Sequence, residues 1–474
     1  MSLKFGTSGL RGLSVDLKGR PSYVYAAAFA HFLLRNGLAK SGDKVLVAYD
    51  FRDSSPAIAA NVLAAIRVQG LTPVDCGLIP TPALAFYAFQ TGAASMMVTG
   101  SHIPADRNGI KFYLPDGEIA KPDEQAISAI AAELSDMSVP PVGTEEVYER
   151  RIDEATALFL ERNGKILPDD ALAGLTVGNY QHSTVARDML SQILRHYGAK
   201  VVDLGRSEEF IPVDTEAVSP QTLQLLKAWS QEHGLDAIVS ADGDGDRPLI
   251  ADETGQPVSG DICGLLTALF LGADAIVTPI TSNSGIDTIG SARVLRTKVG
   301  SPFVIAGMEE ASSSAARGIV GFEANGGTLT ASVFKVAGGE LQPLPTRDSF
   351  LPILAVLSTA RRSGKPVSEV KKGLGLPVTA ADRLENCAPE RSAALMAMLR
   401  SADARQSFLQ PFGAVAKVDE TDGLRVTLAD GRVIHLRPSG NAPEMRCYVE
   451  ASGEEAAADL LADGLALLRR FDTQ

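Results

Sequence analysis

Three stretches of this chain follow one plan, and that plan leaves few folds open. KVLVAYDFRDSSPAIAANVLAAIRVQGLTPVDCG, residues 44–77, reads as strand, polar loop, helix, glycine stop, strand. LTVGNYQHSTVARDMLSQILRHYGAKVVDLG, residues 175–205, repeats that order and ends its helix at Tyr197-Gly198. DAIVTPITSNSGIDTIGSARVLRTKVGSPFVIAGM, residues 274–308, is a third, looser copy. The strands are short and β-branched, and the helices space their apolar residues by three and four. Glycine follows the helices, where a C-terminal cap needs it. Alternating β and α units predict parallel sheets covered by helices. Repetition over 474 residues predicts several domains rather than one long sheet.

The last hundred residues change character. AVAKVDETDGLRVTLADGRVIHLRPSG sets Asp422-Gly423 and Asp430-Gly431 between alternating strands, a hairpin pattern. MRCYVEASG adds a strand and EEAAADLLADGLALLRRF a helix. The expected fold class is α/β: three similar α/β domains with mixed, mostly parallel sheets, then a small α+β domain from about residue 376. SDMSVPPVGTEE, around 135–146, reads as the best linker.

Composition removes whole classes of function. Acidic residues outnumber basic ones, 57 to 44, giving a net charge of −13. That argues against a general nucleic-acid or anionic-membrane binder, while leaving room for local cationic pockets. Cys76, Cys263, Cys387 and Cys447 are scattered without metal or disulfide spacing and read as small apolar residues. The segment MSLKFGTSGLRG lacks the apolar core of a signal peptide, and no apolar run reaches transmembrane length. The expected location is the cytoplasm.

Four short stretches carry chemistry. In MMVTGSHIPADRNGIKFY, a strand over 95–99 delivers Gly100-Ser101-His102 into a loop. Ligands bind at the carboxyl ends of strands in α/β sheets. A lone Thr-Gly-Ser-His is more often a turn, and a free serine is a weak nucleophile without a base or a metal. His102 is next in sequence, but neighbours in extended chain point apart, so adjacency does not make it the base.

The second stretch, VSADGDGDRPLIADETG, places Asp242, Asp244 and Asp246 between glycines directly after an apolar strand. Three carboxylates so close repel one another, and a hard divalent cation with oxygen ligands relieves this. The EF-hand calcium loop is the rival: Glu253 falls at its twelfth position, but Arg247 stands where that loop needs glycine, and the flanks read as strands. A site with few protein ligands favours Mg2+ in phosphoryl chemistry.

The third stretch, GIVGFEANGGTL, holds Glu323 and Asn325 in a glycine-rich turn suited to sugar hydroxyls, although Asn-Gly is also an ordinary turn dipeptide. The fourth, RPSGNAPEMR, gathers Arg437, Ser439, the amides of Gly440 and Asn441, and Arg446, the inventory of an anion site. Arg11 lies between glycines near the start. Arg52, with Asp50 and Asp53 beside it, reads as a structural ion-pair partner.

Taken together, in this order and spacing, the four stretches resemble the α-D-phosphohexomutase superfamily over essentially the whole chain. The resemblance implies four domains around a central cleft, at 1–140, 150–262, 263–375 and 376–474, each supplying one loop. It implies interconversion of hexose 1- and 6-phosphates, most simply of mannose with glucose alongside, through a phosphoserine enzyme and a sugar 1,6-bisphosphate. The alternatives are a phosphoglucosamine mutase, a Mg2+-dependent sugar phosphatase, or a sugar- or metal-binding protein without chemistry.

Carried over residue by residue, Ser101 matches the phosphoserine. Asp242, Asp244 and Asp246, with the Ser101 phosphate, match the Mg2+ ligands, and Arg11 and Lys111 match cations beside the phosphoserine. Arg247, Glu323 and Asn325 match substrate contacts. Arg437, Ser439, Gly440, Asn441 and Arg446 match the grip on the non-reacting phosphate. The expected partners are small sugar phosphates, with no nucleic acid and no membrane, in a monomer or homodimer. The chain also departs from common members: Gly327 stands where many have histidine and Ser301 where some do, Asn441-Ala442 replaces Thr-Glu, and Ile103 replaces asparagine. With two histidines missing, His102 and Lys111 become the candidate proton carriers.

Overall fold

The computed structural model describes residues 3–5, 9–139, 148–314, 316–439 and 443–472. They form two compact units, the first comprising residues 1–276 and 300–373, the second 277–299 and 374–474.

In the first unit, KVLVAY makes the strand Lys44–Tyr49, whose residues after the first are buried or nearly so. Such a two-sided apolar strand belongs inside a parallel sheet. It pairs in parallel with Thr72–Gly77 on one side and Ala94–Val98 on the other. Arg107–Leu114 then adds antiparallel, followed by Leu10–Leu13, so the sheet is mixed. Helices Arg20–Arg35, Ser55–Val68 and Lys121–Glu133 cover it through Phe29, Val62, Ile127 and their neighbours. Helix Thr81–Thr91 ends at Gly92, which takes φ 64° as a left-handed cap.

A second sheet has the order Lys200–Arg206, Thr176–His182, Ala237–Ala241, Pro248–Ala251, parallel until its last, antiparallel strand. A third contains Ile319–Phe322, Thr328–Thr330 and Leu344–Asp348, antiparallel to one another, with helices Gly260–Leu271 and Phe350–Ser363 beside them. The multidomain α/β class read from the repeats is the class observed.

The third repeat departs from its expected order. Between strands Ala275–Pro279 and Arg293–Thr297 there is only a short 3-10 turn, Ser284–Thr288, and the helix comes later, at Ser301–Ser313. Ser282, Asn283, Ser284 and Gly285 favour local side-chain bonding over helix. The Asn283 side chain accepts from the Gly285 amide at 2.9 Å, closing the turn.

The second unit has an antiparallel sheet ordered Val378–Glu385, Glu444–Ala451, Val433–Pro438, Leu424–Leu428, Val415–Asp419, backed by helix Glu454–Asp472. Both Asp-Gly pairs sit at its hairpin turns, and its core holds Leu395, Val426, Leu436 and Leu460. The linker reading at 135–146 falls largely on residues outside those described. All four cysteines are buried. No helix among the described residues is long and apolar enough to cross a membrane.

Candidate active site

The serine loop begins where strand Ala94–Val98 stops. Ser101 is 1% exposed and holds φ 54°, a left-handed conformation that non-glycine residues enter at a cost and that clusters at functional sites. The twist is held from several directions. The Ser101 amide donates to Thr99 Oγ1 at 2.7 Å, and that hydroxyl donates to Asp50 Oδ2 at 2.7 Å. Arg52 donates to the carbonyls of Ser101, Ile103, Pro104 and Arg107 at 2.6–2.9 Å. Its ion pair with Asp50 is also present, at 3.3 Å. A Cβ on Gly100 would lie 2.5 Å from Arg52 Cζ, so this glycine leaves room for the guanidinium.

The left-handed turn corrects one expectation. Extended geometry would point Ser101 and His102 apart, but with positive φ their side chains converge, and Oγ lies 3.2 Å from His102 Nδ1. That nitrogen accepts from Arg247 Nη1 at 3.0 Å. Burial, then the Arg247 charge, pushes His102 down to about 3, so the ring is neutral at ordinary pH.

The aspartate loop follows strand Ala237–Ala241 and leads into Pro248–Ala251, so its flanks are strands and not the helices of an EF-hand. Asp242 Oδ1 accepts from the amides of Asp246 and Arg247, at 3.1 and 3.2 Å, which curls the loop on itself. Thr81 donates both its amide, at 2.9 Å, and its hydroxyl to Asp244. Ser349 Oγ reaches the Gly245 carbonyl at 2.7 Å. All three aspartates are fully buried, and one carboxylate oxygen from each lies within 4.8 Å of the others.

Ser101 Oγ donates to Asp242 Oδ2 at 2.5 Å, joining the two loops. Lys111, on strand Arg107–Leu114, donates to Asp244 at 2.6 Å and Asp246 at 2.5 Å. Arg11, half-buried, donates to the Gly100 carbonyl at 3.1 Å. Burial, then Arg247, brings its guanidinium down to about 10. Burial, then the neighbouring Asp244 and Asp246, raises Asp242 to about 8. Burial would raise Asp246 too, but Arg347, Lys111 and Arg247 outweigh it and hold this carboxylate well below its usual range.

This donor set fits a hard divalent cation. It offers only oxygens, and Asp244 Oδ1 and Asp246 Oδ1 are buried without a hydrogen-bond partner among the described residues. Orphaned buried carboxylate oxygens are costly unless something else satisfies them.

Glu323 and Asn325 sit in the turn joining Ile319–Phe322 to Thr328–Thr330, both nearly buried. Asn325 Oδ1 accepts from the Gly327 amide at 3.0 Å, so that oxygen is committed to the turn. Glu323 receives Arg347 Nη1 at 3.1 Å. Arg347 also donates Nε to Asp246 at 3.0 Å. The motif reading passed over Arg347. Its signal was slight: one Arg-Asp pair closing the strand Leu344–Asp348.

Ser101, His102, Lys111, Arg11, Asp242, Asp244, Asp246, Arg247 and Glu323 therefore lie within one unit and are linked by the contacts above. The anion-loop residues belong to the other. There Arg437 and Arg446 are directly opposed on neighbouring strands, and Arg383 opposes Arg446 on its other side. Arg437 faces Asp422 at 2.9 Å and Arg446 faces Glu444 at 2.8 Å. A row of like charges across a sheet is unfavourable unless anions offset it. Gly440 and Asn441 lie outside the described residues.

A serine hydroxyl bonded to a buried carboxylate cluster, with cations on every flank, suits a phosphoryl group that comes and goes. The class defined by this fold and site is an intramolecular phosphotransferase. Models of the phosphoglucomutase/phosphomannomutase α/β/α domains I, II and III match residues 2–137, 160–255 and 259–374, and that of the C-terminal domain matches 384–467. A phosphomannomutase of Sinorhizobium fredii is 53% identical over 472 residues, covering 99% of both chains. One of Salmonella muenchen is 40% identical over 464 residues, covering 97% of this chain and 94% of the relative. The solved structure of a putative phosphomannomutase from Thermus thermophilus superposes with a TM-score of 0.75 over 99% of both chains at 24% identity, a likeness of fold. The chain belongs to the phosphoglucomutase/phosphomannomutase family, within the α-D-phosphohexomutase superfamily, and interconverts hexose phosphates.

Proposed function

We propose that this enzyme is a phosphomannomutase, interconverting mannose 1-phosphate and mannose 6-phosphate and accepting the glucose pair as well. The single observation that carries the mechanism is the hydrogen bond from Ser101 Oγ to Asp242 inside the aspartate cluster. Two relatives named phosphomannomutase, at 53% and 40% identity, support the sugar; two named phosphoglucosamine mutase match at 30% and 28%.

Ser101 carries the phosphoryl group in the resting enzyme. With a hexose 1-phosphate bound, the P–Oγ bond breaks as a bond from phosphorus to the sugar O6 forms, and O6 gives up its proton. The 1,6-bisphosphate then turns over. Its P–O1 bond breaks as the phosphoryl group returns to Oγ, O1 takes a proton, and the 6-phosphate leaves. Asp242, Asp244 and Asp246 would hold Mg2+, which supplies charge neutralisation at the transferring group. Arg11 and Lys111 add fixed positive charge beside Ser101. His102, whose Nδ1 lies 3.2 Å from Oγ and would have to exchange its bond from Arg247 for the proton, and Lys111 are the candidate carriers.

Glu323, Asn325 and Arg247 bind the sugar. Arg437, Ser439, Gly440, Asn441 and Arg446 bind the phosphate that is not being transferred. The four domains divide this work as serine, metal, sugar and phosphate domains, at the boundaries read from the sequence. The bisphosphate acts as intermediate and activator, in a cytoplasmic monomer or homodimer.

Intact-mass measurement of the purified enzyme tests the serine: one added phosphoryl group is expected, and none on Ser101→Ala. Retention of full mutase turnover by Ser101→Ala overturns the reading. Comparing mannose, glucose and glucosamine 1-phosphates tests the sugar.

A further inference from the structure

Arg347 has no part in the motifs, yet it occupies a junction. It is 2% exposed and belongs to the strand Leu344–Asp348. Its guanidinium forks: Nε and Nη2 each lie 3.0 Å from Asp246 Oδ2, and Nη1 lies 3.1 Å from Glu323 Oε2. One arm thus grips the aspartate loop and the other the sugar loop. Only a planar guanidinium can hold two carboxylates this way.

The neighbourhood is shaped for it. A Cβ on Gly327 would meet Arg347 Cδ at 2.6 Å, Cγ at 2.7 Å and Cβ at 3.0 Å. Gly327 is not among the glycines with positive φ, so space and not backbone conformation requires glycine there. The strand is anchored on both sides of the arginine. Thr346 Oγ1 donates to Glu118 at 2.7 Å, and Asp348 receives Arg162 Nη1 at 2.9 Å while capping the Phe350 amide at 2.8 Å.

We infer that Arg347 is a positioning residue that ties the orientation of Glu323, and hence the binding of sugar hydroxyls, to the metal-binding loop. This rests on the phosphomutase reading above. The contact has two separable parts. The fork aligns Glu323 for the sugar, whereas the positive charge beside Asp246 opposes a second cation on the same carboxylate. Loss of the side chain therefore moves two affinities in opposite directions, which general damage to the site does not do.

Three variants test it: Arg347→Gln, Arg347→Lys and Gly327→Ala. Mg2+ affinity is measured by calorimetry without substrate, on protein of known Ser101 phosphorylation, and KM is measured with mannose and glucose 1-phosphates. Arg347→Gln is expected to bind Mg2+ on the order of tenfold tighter while its KM rises on the order of tenfold. Arg347→Lys keeps the charge and loses the fork, and Gly327→Ala displaces the fork. Both are expected to raise KM for both sugar phosphates, and Arg347→Lys does so with Mg2+ affinity unchanged. The inference is overturned if Arg347→Gln weakens Mg2+ and sugar together, or if Arg347→Lys restores the parent KM. Asp244→Asn separates the two levels: if it still binds Mg2+ like the parent, the metal reading fails, and with it lost, any failure above belongs to Arg347 alone.

Discussion

The Arg52 guanidinium donates to the backbone carbonyl of Ser101 at 2.8 Å, so the serine is held from behind by a cation that does not touch its hydroxyl. Arg52 is 1% exposed, and its partner Asp50 is fully buried. Removing one member of a buried pair strands the other charge. Arg52→Gln is expected to lose about 3–5 kcal/mol of stability, by thermal or urea unfolding. Arg52→Lys restores part of the stability but cannot reach all four carbonyls, so its kcat is expected to fall while KM changes little. Parent-like kcat in a folded Lys variant would mean that the clamp has no bearing on catalysis.

Opposite charges crowd around the serine before any ligand arrives. Asp242, Asp244, Asp246 and Glu323 face Arg11, Lys111, Arg247 and Arg347 in one buried network. A dianionic phosphate on Ser101 and a divalent cation on the aspartates offset each other's charge, so each favours binding of the other. Phosphorylated enzyme is therefore expected to bind Mg2+ at least about tenfold more tightly than enzyme stripped of phosphate. Calorimetry on the two forms measures the difference, and equal affinities would separate the two sites energetically.

His435 gives the second unit a defined acid weakness. It is 1% exposed, donates Nε2 to the Asp422 carbonyl at 2.7 Å and stacks on Tyr448. Burial lowers it from an ordinary 6.5 to about 4. Between those values the unfolded chain binds a proton that the folded chain refuses, so stability present above pH 6.5 is lost as pH falls towards 4. The loss attributable to this group is roughly 3 kcal/mol. Urea unfolding of the parent and His435→Gln at several pH values checks it: the variant is expected to show the flatter profile.

Arg383 extends the row of Arg437 and Arg446 across a third strand and shares Glu444 with Arg446, at 3.4 Å. If the row receives phosphate, Arg383→Ala raises KM for every hexose phosphate about 3- to 10-fold, leaving kcat and sugar preference alone. An unchanged KM would confine the anion grip to the two motif arginines.

How much of this was legible beforehand depended on how far apart the partners lie in the chain. Ser101 and the aspartates were readable because each stands in a short glycine-marked motif at a strand end. The repeats gave the α/β class because hydrophobic periodicity is local. Arg347 was not readable: its partners are 101 and 24 residues away, and nothing beside it advertises them. The Ser101–His102 approach was misjudged because an extended chain was assumed where the residue is left-handed. Arg52 was read from Asp50 and Asp53 beside it and not from its four carbonyl partners, since backbone carbonyls have no letter in a sequence.

Gly327 is constrained by its neighbour. A larger side chain at 327 and the arginine at 347 exclude each other, because both claim the same volume. A histidine at 327, which the family resemblance leads one to expect at that end of the sugar loop, does not fit here. Introduced alone it would collide, and removing the arginine first would leave Asp246 and Glu323 without their shared cation. Any larger residue at 327 therefore requires a change at 347 as well, whereas 347 can vary under an unchanged glycine.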